Sequence, residues 1–435
     1  MSALTDFKTF IADAQAGSQY QAWLRDNSGL TAAQKKQSPL PAPTSSSDAG
    51  KWFAFRDAIL AGAHPAVPQM SSAHGRELAD AGVLYLDASA APLPSPVPSR
   101  HGIGVSTHML RYSDPGAYLD RLPPTVGLYR DDVTWSGGER VKGTFDWTAL
   151  DKMAGLARAR GKKLMPMIGY APAWANGGKD DKVGPLNPAD FGHWAGAFAG
   201  RCASMWADVV DGIELWNEPN INFLIDPNTG AAGPSALYAA LVNAAYPAMK
   251  AAAPNIKVIA GATAGTGTTK WDEPTALWTE AVLNAVADRF DEWSDHTYEF
   301  AQPGNPPETG AQMARIDAPT PLGRTFWNTG VESLAAQLAR HGHPGCVIHA
   351  TETGAPTYLR DGTPTFRGCP EQNVADWWNL SYPRWRSQPS AGWYCPYTGQ
   401  DPTDQTVTNM ENFFGILRSD GSRKPLWDAM AATTP

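Results

Sequence analysis

The stretch Ile213-Glu214-Leu215-Trp216-Asn217-Glu218-Pro219-Asn220 decides the reading of this chain. Four residues suited to a short buried strand run straight into Asn, Glu, Pro and Asn. Pro219 has no N–H to give a sheet ladder, so the strand must end about there. Glu218 is thereby placed at the carboxyl end of a strand. In a (β/α)8 barrel that end presents the catalytic side chains. A carboxyl group in a confined pocket can hold a proton for a leaving group near neutral pH, because desolvation disfavours its charged form.

Outward from this stretch, strands alternate with helices from His101 onward, which suggests a parallel sheet. The pattern predicts strands over 102–108, 126–131, 163–169, 212–216, 257–261, 292–297, 346–351 and 392–397. Helices are predicted over 145–160, 191–206, 235–252, 277–287, 331–341 and 425–432. Eight units make an α/β chain with a (β/α)8 TIM barrel over residues 100–435. Such a barrel takes roughly 250 residues, more with insertions, so it fits with residues to spare. The second decisive run is Cys346-Val347-Ile348-His349-Ala350-Thr351-Glu352-Thr353-Gly354. It leads from apolar residues to a polar end with Gly354 and Pro356 as breakers, and puts Glu352 at the carboxyl end of strand seven.

A strand ending Trp216-Asn217-Glu218-Pro219 resembles the acid/base strand of retaining glycoside hydrolases with (β/α)8 barrels, the large group called clan A. The run 214–220 is most similar to glycoside hydrolase family 39, with β-xylosidases, α-L-iduronidases and some bacterial exopolysaccharide hydrolases; the cellulase-rich family 5 is second. The resemblance runs from about residue 101 to the end, and includes Asn412-Phe413-Phe414-Gly415-Ile416-Leu417 and Lys424-Pro425-Leu426-Trp427. It implies an acid/base on strand four and a nucleophile on strand seven, the strands on which Glu218 and Glu352 fall. The implied activity is retaining hydrolysis of an oligo- or polysaccharide by double displacement. Glu218 would protonate the glycosidic oxygen and Glu352 would attack the anomeric carbon. The rival expectation is a catalytically silent, carbohydrate-binding barrel within a larger assembly.

The resemblance also assigns supporting roles. Asn217 would bind the sugar 2-hydroxyl, and Tyr298, beside His296 at the end of strand six, would hydrogen-bond the nucleophile. By position, Arg130 ends strand two, where a cation could keep Glu352 ionised, and His108 ends strand one, where it could line the pocket. Trp135, Trp174 and Trp393 are candidate sugar platforms, and Glu214 reads as a buried structural carboxylate. The loops 176–190, 221–234, 301–330 and 355–372 could wall a pocket or line a cleft; the spread of Trp leans to endo action.

Composition bounds the rest. Hydrophobic residues make up 43% of the chain, ample for a large core. The formal net charge of -8 argues against a nucleic-acid partner, which would leave a basic footprint. Seventeen Trp suit a carbohydrate site as well as a core. The four Cys show no C-x-x-C spacing, so neither a zinc site nor any other metal or cofactor is expected; Cys369 and Cys395 are a candidate disulfide. His341-Gly342-His343 reads as structural, and neither a phosphate loop nor a G-x-S-x-G elbow is present. No signal peptide or membrane-spanning run is found, which leaves a cytoplasmic, virion-associated or non-classically exported protein.

Residues 1–99 read as a helical, Pro-rich N-terminal appendage. Helical spacing recurs at Leu4, Phe7, Phe10 and Ile11, at Tyr20, Trp23 and Leu24, and at Trp52, Phe53, Phe55, Ile59 and Leu60. A linker is predicted over 38–50 and an extended spacer at Pro92, Pro94, Pro96 and Pro98. The appendage could cap the barrel, or serve as a docking or oligomerisation segment for a larger body such as a virion tail or surface assembly.

Overall fold

The computed structural model describes residues 18–37, 40–61, 66, 68–72, 78, 102–210, 212–221, 224–225, 233–264, 273, 275–298, 334–360, 363–364, 368–403 and 409–434. The predicted helix at Leu4–Ile11, the Pro92–Pro98 spacer and the loop 301–330 lie outside them.

Eight parallel strands close into a barrel in sequence order. They are β1 Gly102–Ser106, β2 Leu128–Thr134, β3 Lys163–Gly169, β4 Ile213–Leu215, β5 Val258–Thr263, β6 Glu292–His296, β7 Ile348–Thr353 and β8 Ala391–Pro396. β8 returns to β1 with Trp393 opposite Gly102. The helices between strands include Thr148–Ala159, Pro188–Met205, Pro234–Ala252, Thr275–Val286 and Leu334–Arg340, and Pro425–Ala432 follows β8. All answer predicted segments. The helix Glu371–Arg386, between β7 and β8, was not predicted, because Pro383 interrupts it. Its buried Val374, Trp377, Trp378, Tyr382 and Trp385 do carry helical spacing.

The main core lies between the helices and the outer face of the barrel, and draws on every layer from Ile103 to Met430. A separate cluster joins Leu128, Met165, Ile259 and Cys395, with Trp393 packed against it. These residues come from β2, β3, β5 and β8, which stand around the ring, so they meet only inside it. Further along β2 the period-2 face continues as Arg130 and Asp132. The interior is thus apolar low in the barrel and charged toward the carboxyl ends of the strands.

The sulfur chemistry differs from expectation. All four cysteines are free. Cys395 is buried in the barrel interior, where a Cβ on Gly104 would come 2.4 Å from its sulfur, whereas Cys369 lies near the Pro356 carbonyl. Spacing carries no information on which way each thiol points.

In the N-terminal region the helices Ser18–Asp26 and Asp48–Leu60 are present. The second starts inside the predicted linker, because Ser47 caps it by accepting from the Gly50 N–H. Tyr20, Trp23, Ala49, Trp52, Phe55, Ile59, Met70 and Leu78 form a hydrophobic cluster of their own. Among the described residues, no helix is long and apolar enough to cross a membrane.

Candidate active site

Four non-glycine residues after the carboxyl ends of β1, β3 and β4 stand in left-handed backbone: His108 (φ 46°), Tyr170 (φ 64°), Trp216 (φ 68°) and Glu218 (φ 46°). Each costs of order 1–3 kcal/mol, and such residues cluster at functional sites. At β4 the cause is local. The sheet ends at Leu215, Pro219 blocks its continuation, and the Glu218 N–H turns to the Ala262 carbonyl of β5 at 2.9 Å. That turn aims the Glu218 side chain across the barrel mouth.

Arg130 is the hub. It is fully buried, and its Nε and Nη2 donate to Glu214 Oε2 at 2.9 and 2.7 Å. Nη2 also donates to Asn217 Oδ1 at 2.7 Å, and Nη1 to Glu352 Oε1 at 2.6 Å. Burial works against both charges of the Arg130–Glu214 pair. Their mutual attraction, added to that of His296 for Glu214 and of Glu352 and Asp132 for Arg130, outweighs it, so Glu214 is held below and Arg130 above its ordinary value. Arg130 also pairs, more weakly, with Asp132, whose Oδ1 stands 3.8 Å from Nη1, whereas Asp131 accepts from Thr107 Oγ1 and the Met109 N–H.

Glu352 receives a second donor, the Tyr298 hydroxyl, at 2.7 Å on Oε2. Burial first, and then the Glu352 charge, hold the Tyr298 phenol well above its ordinary value, so it keeps its proton and donates. His296 is buried between the two carboxylates. Its Nδ1 lies 3.0 Å from Glu218 Oε1 and 3.6 Å from Glu352 Oε2. Burial pushes the imidazole down, but Glu352 and Glu218 together lift it above its ordinary value. Glu218, His296 and Glu352 bring one atom each within 4.8 Å of one another. Three such atoms could hold a metal ion, but the bonds among them and from Tyr298 already engage the same atoms. The two carboxyl groups differ in setting. Glu352 is 8% exposed and accepts from two donors, while Glu218 is 21% exposed and meets His296.

Of the sequence-predicted residues, Glu218, Glu352, Asn217, Tyr298, His296 and Arg130 therefore converge. His108 borders them, with Nδ1 3.5 Å from Asp132 and its ring edge-on to Tyr397 at 5.6 Å. The three tryptophans are placed otherwise. Trp135 has no exposed surface; its indole donates to Glu139 and its ring packs on Trp174 and Phe191. Trp174 is half-buried in the same packing, its indole bonded to the Glu139 carbonyl. Trp393 lies at the opposite end of the barrel, over Gly102 and Gly127, where a Cβ on Gly102 would come 2.6 Å from its ring. Trp135, with no exposed surface, and Trp393, at the far end, offer no face at the barrel mouth, while Trp174 stays partly exposed after β3.

Tyr397, just after β8, was missed. Its ring packs edge-on to Tyr298 at 6.4 Å and to Phe414 at 5.7 Å. The signal was available: Trp393, Cys395 and Tyr397 share one face of β8, and four residues span about 13 Å. The platform candidate at the carboxyl end was Tyr397, not Trp393.

No family sequence model matches the chain, and no curated protein matches it by sequence. Solved structures do match by fold. A family 39 glycoside hydrolase from the gut symbiont Bacteroides cellulosilyticus is 22% identical at a TM-score of 0.55, over 78% of this chain and 65% of that one. The chain thus spans somewhat less than two thirds of that protein. The GH5_18 protein from Streptomyces cattleya, in complex with GlcNAc, is 16% identical at a TM-score of 0.55, covering 78% of this chain and 82% of that one. A fungal β-1,4-galactanase is 15% identical at 0.51, covering 77% and 99%. In fold, the chain is similar to the clan A glycoside hydrolases, whose closed eight-stranded parallel barrel it shares.

Proposed function

We propose that the chain is a retaining glycoside hydrolase, with Glu218 as acid/base and Glu352 as nucleophile. The observation that carries this reading is the approach of the two carboxylates, within 4.8 Å between facing atoms, from the ends of β4 and β7. Retaining enzymes hold the pair about 5–5.5 Å apart, and inverting ones about 6.5–9.5 Å, to admit a water.

The asymmetry of the pair assigns the roles. Both oxygens of Glu352 accept hydrogen bonds, from Arg130 and Tyr298, which hold the carboxyl group in place for attack on an anomeric carbon. Glu218 is more open to solvent and shares a proton-bearing contact with His296, which suits a group that gives and regains a proton. In the first step Glu352 forms a bond to the anomeric carbon as the glycosidic C–O bond breaks and Glu218 protonates the departing oxygen. In the second, Glu218 takes a proton from water, whose oxygen displaces Glu352. Asn217, oriented by Arg130, lies beside the nucleophile, where a 2-hydroxyl would sit.

The test is hydrolysis of a panel of β-linked oligosaccharides by the wild type, Glu218→Gln and Glu352→Gln. The expected result is hydrolysis by the wild type and losses of about 10²–10⁴-fold in each variant. Equal slow rates in all three, with sugar binding retained, would make the protein a binding barrel instead.

A further inference from the structure

Two cavities are lined by residues that flank the carboxylate cluster, one by Tyr397 beside Tyr298 and the other by Asp132 beside Arg130. One of about 600 Å3 is lined by His108, Arg111, Tyr397, Thr398 and Gln400 among others. The other, of about 750 Å3, is lined by His108, Arg111, Asp132, Thr134, Lys152 and Tyr170 among others. They share His108 and Arg111, and so form one trough from the end of β8 past β1 to β2 and β3. Each volume lies in the range of roughly 300–1,000 Å3 typical of ligand sites.

The position of the trough relative to the proposed acid is informative. Glu218 stands after β4 and His296 on β6, whereas the trough follows the other arc, β8-β1-β2-β3. The acid must touch the departing oxygen, so the leaving group lies on its side. The sugars retained on the nucleophile extend the other way. At the junction of the cavities, His108 Nε2 is buried without a hydrogen-bond partner. Leaving a buried polar atom unpaired is costly, and a sugar hydroxyl would satisfy it. The trough's accessible charges are Arg111, Arg140 and Lys152 against Asp132, Asp146, Asp181 and Glu411. A lining with both signs supplies donors and acceptors, and its slight excess of carboxylates disfavours a polyanion.

We infer that this trough binds the glycone portion of a neutral glycan, two or more sugar units long, with Arg111 as a specificity-determining residue shared by both halves. The inference rests on the glycosidase reading of Glu218 and Glu352. It makes the protein one that cuts within a chain, or releases oligosaccharides, rather than trimming single terminal sugars.

The experiment uses the full chain and neutral β-1,4-linked manno-, xylo-, gluco- and galacto-oligosaccharides of two to six units, labelled at the reducing end. For the series hydrolysed, kcat/KM is expected to rise at least tenfold from di- to tetrasaccharide. The main cut should leave two or more units on the glycone side. Arg111→Ala should shrink that length-dependent gain at least threefold. Flat rates with single-sugar release, or preference for a uronic-acid series of equal length, would overturn the trough assignment while leaving the catalytic reading intact. If nothing is hydrolysed, calorimetry of the same sugars decides. Length-dependent binding that Arg111→Ala weakens supports the trough without the chemistry, and no binding overturns it.

Discussion

Replacing Arg130 with Met removes the guanidinium that the buried carboxylates Glu214 and Glu352 share. The wild-type guanidinium gives Glu214 two hydrogen bonds at 2.7–2.9 Å and Glu352 one at 2.6 Å, with Glu214 fully buried and Glu352 nearly so. Breaking a buried ion pair from one side typically costs about 3–5 kcal/mol, so Arg130→Met should lose at least that much in urea unfolding at pH 7. The pH dependence should also weaken. In the wild type, burial raises the Glu214 carboxyl, but Arg130, together with His296, Thr351 and Ser294, more than offsets it and holds the folded value below the ordinary one. That contribution is present above the unfolded carboxyl value, roughly 4.3, and is lost as pH falls through the lower folded value. In the variant burial is opposed only by His296, Thr351 and Ser294, so the folded value rises and the loss of stability on acidification should shrink. Adding Glu214→Gln should recover a large part of the loss, which a double-mutant cycle would measure. A loss under about 1 kcal/mol at pH 7, or a variant with the wild-type pH trend, would refute this account of the hub.

Tyr298→Phe removes a hydrogen bond to a charged group, worth about 1.5–3 kcal/mol. It should lower kcat on any accepted glycan by about 10–100-fold, while circular dichroism stays that of the wild type. In the N-terminal cluster, burial works against ionised Asp48, but the N–H groups of Ser72 and Ser71 outweigh it and hold its carboxyl down at about 2. A depressed carboxyl stabilises above its unfolded value and ceases to as pH falls toward 2. Fluorescence of Trp23 and Trp52 should therefore report a loss of about 2 kcal/mol between pH 5 and pH 2, mostly absent in Asp48→Asn. We propose residues 1–99 as a docking or oligomerising segment; sizing by light scattering should show a smaller assembly for residues 100–435 than for the full chain, and equal stoichiometry would leave the segment a cap.

The sequence showed the barrel because parallel strands buried on both faces leave apolar runs, and each run here ends at a polar residue or a breaker. Lys163–Gly169 was read with its observed bounds for that reason. Glu292–His296 was harder, since Glu-Trp-Ser-Asp-His is polar yet wholly buried; it is a strand because Glu292 pairs with His349 and Asp295 with Thr263. The carboxylates and their helpers were legible because strand-end position predicts where a side chain points. The tryptophans were not, because an indole suits a core and a sugar face equally. Direction failed similarly for Cys369 and Cys395. The shared bonding of Arg130 to Glu214, Asn217 and Glu352 joins residues far apart in the chain, and no local pattern announces it.

The most direct test of the central claim is to trap the covalent intermediate. The full chain would be incubated with activated 2-deoxy-2-fluoro-β-glycosides of mannose, xylose, glucose and galactose, then digested and analysed by mass spectrometry. A single glycosyl adduct on the peptide containing Glu352, absent in Glu352→Gln, is the predicted result. An adduct on another residue, or hydrolysis of the natural glycan with inverted anomeric configuration, would contradict it.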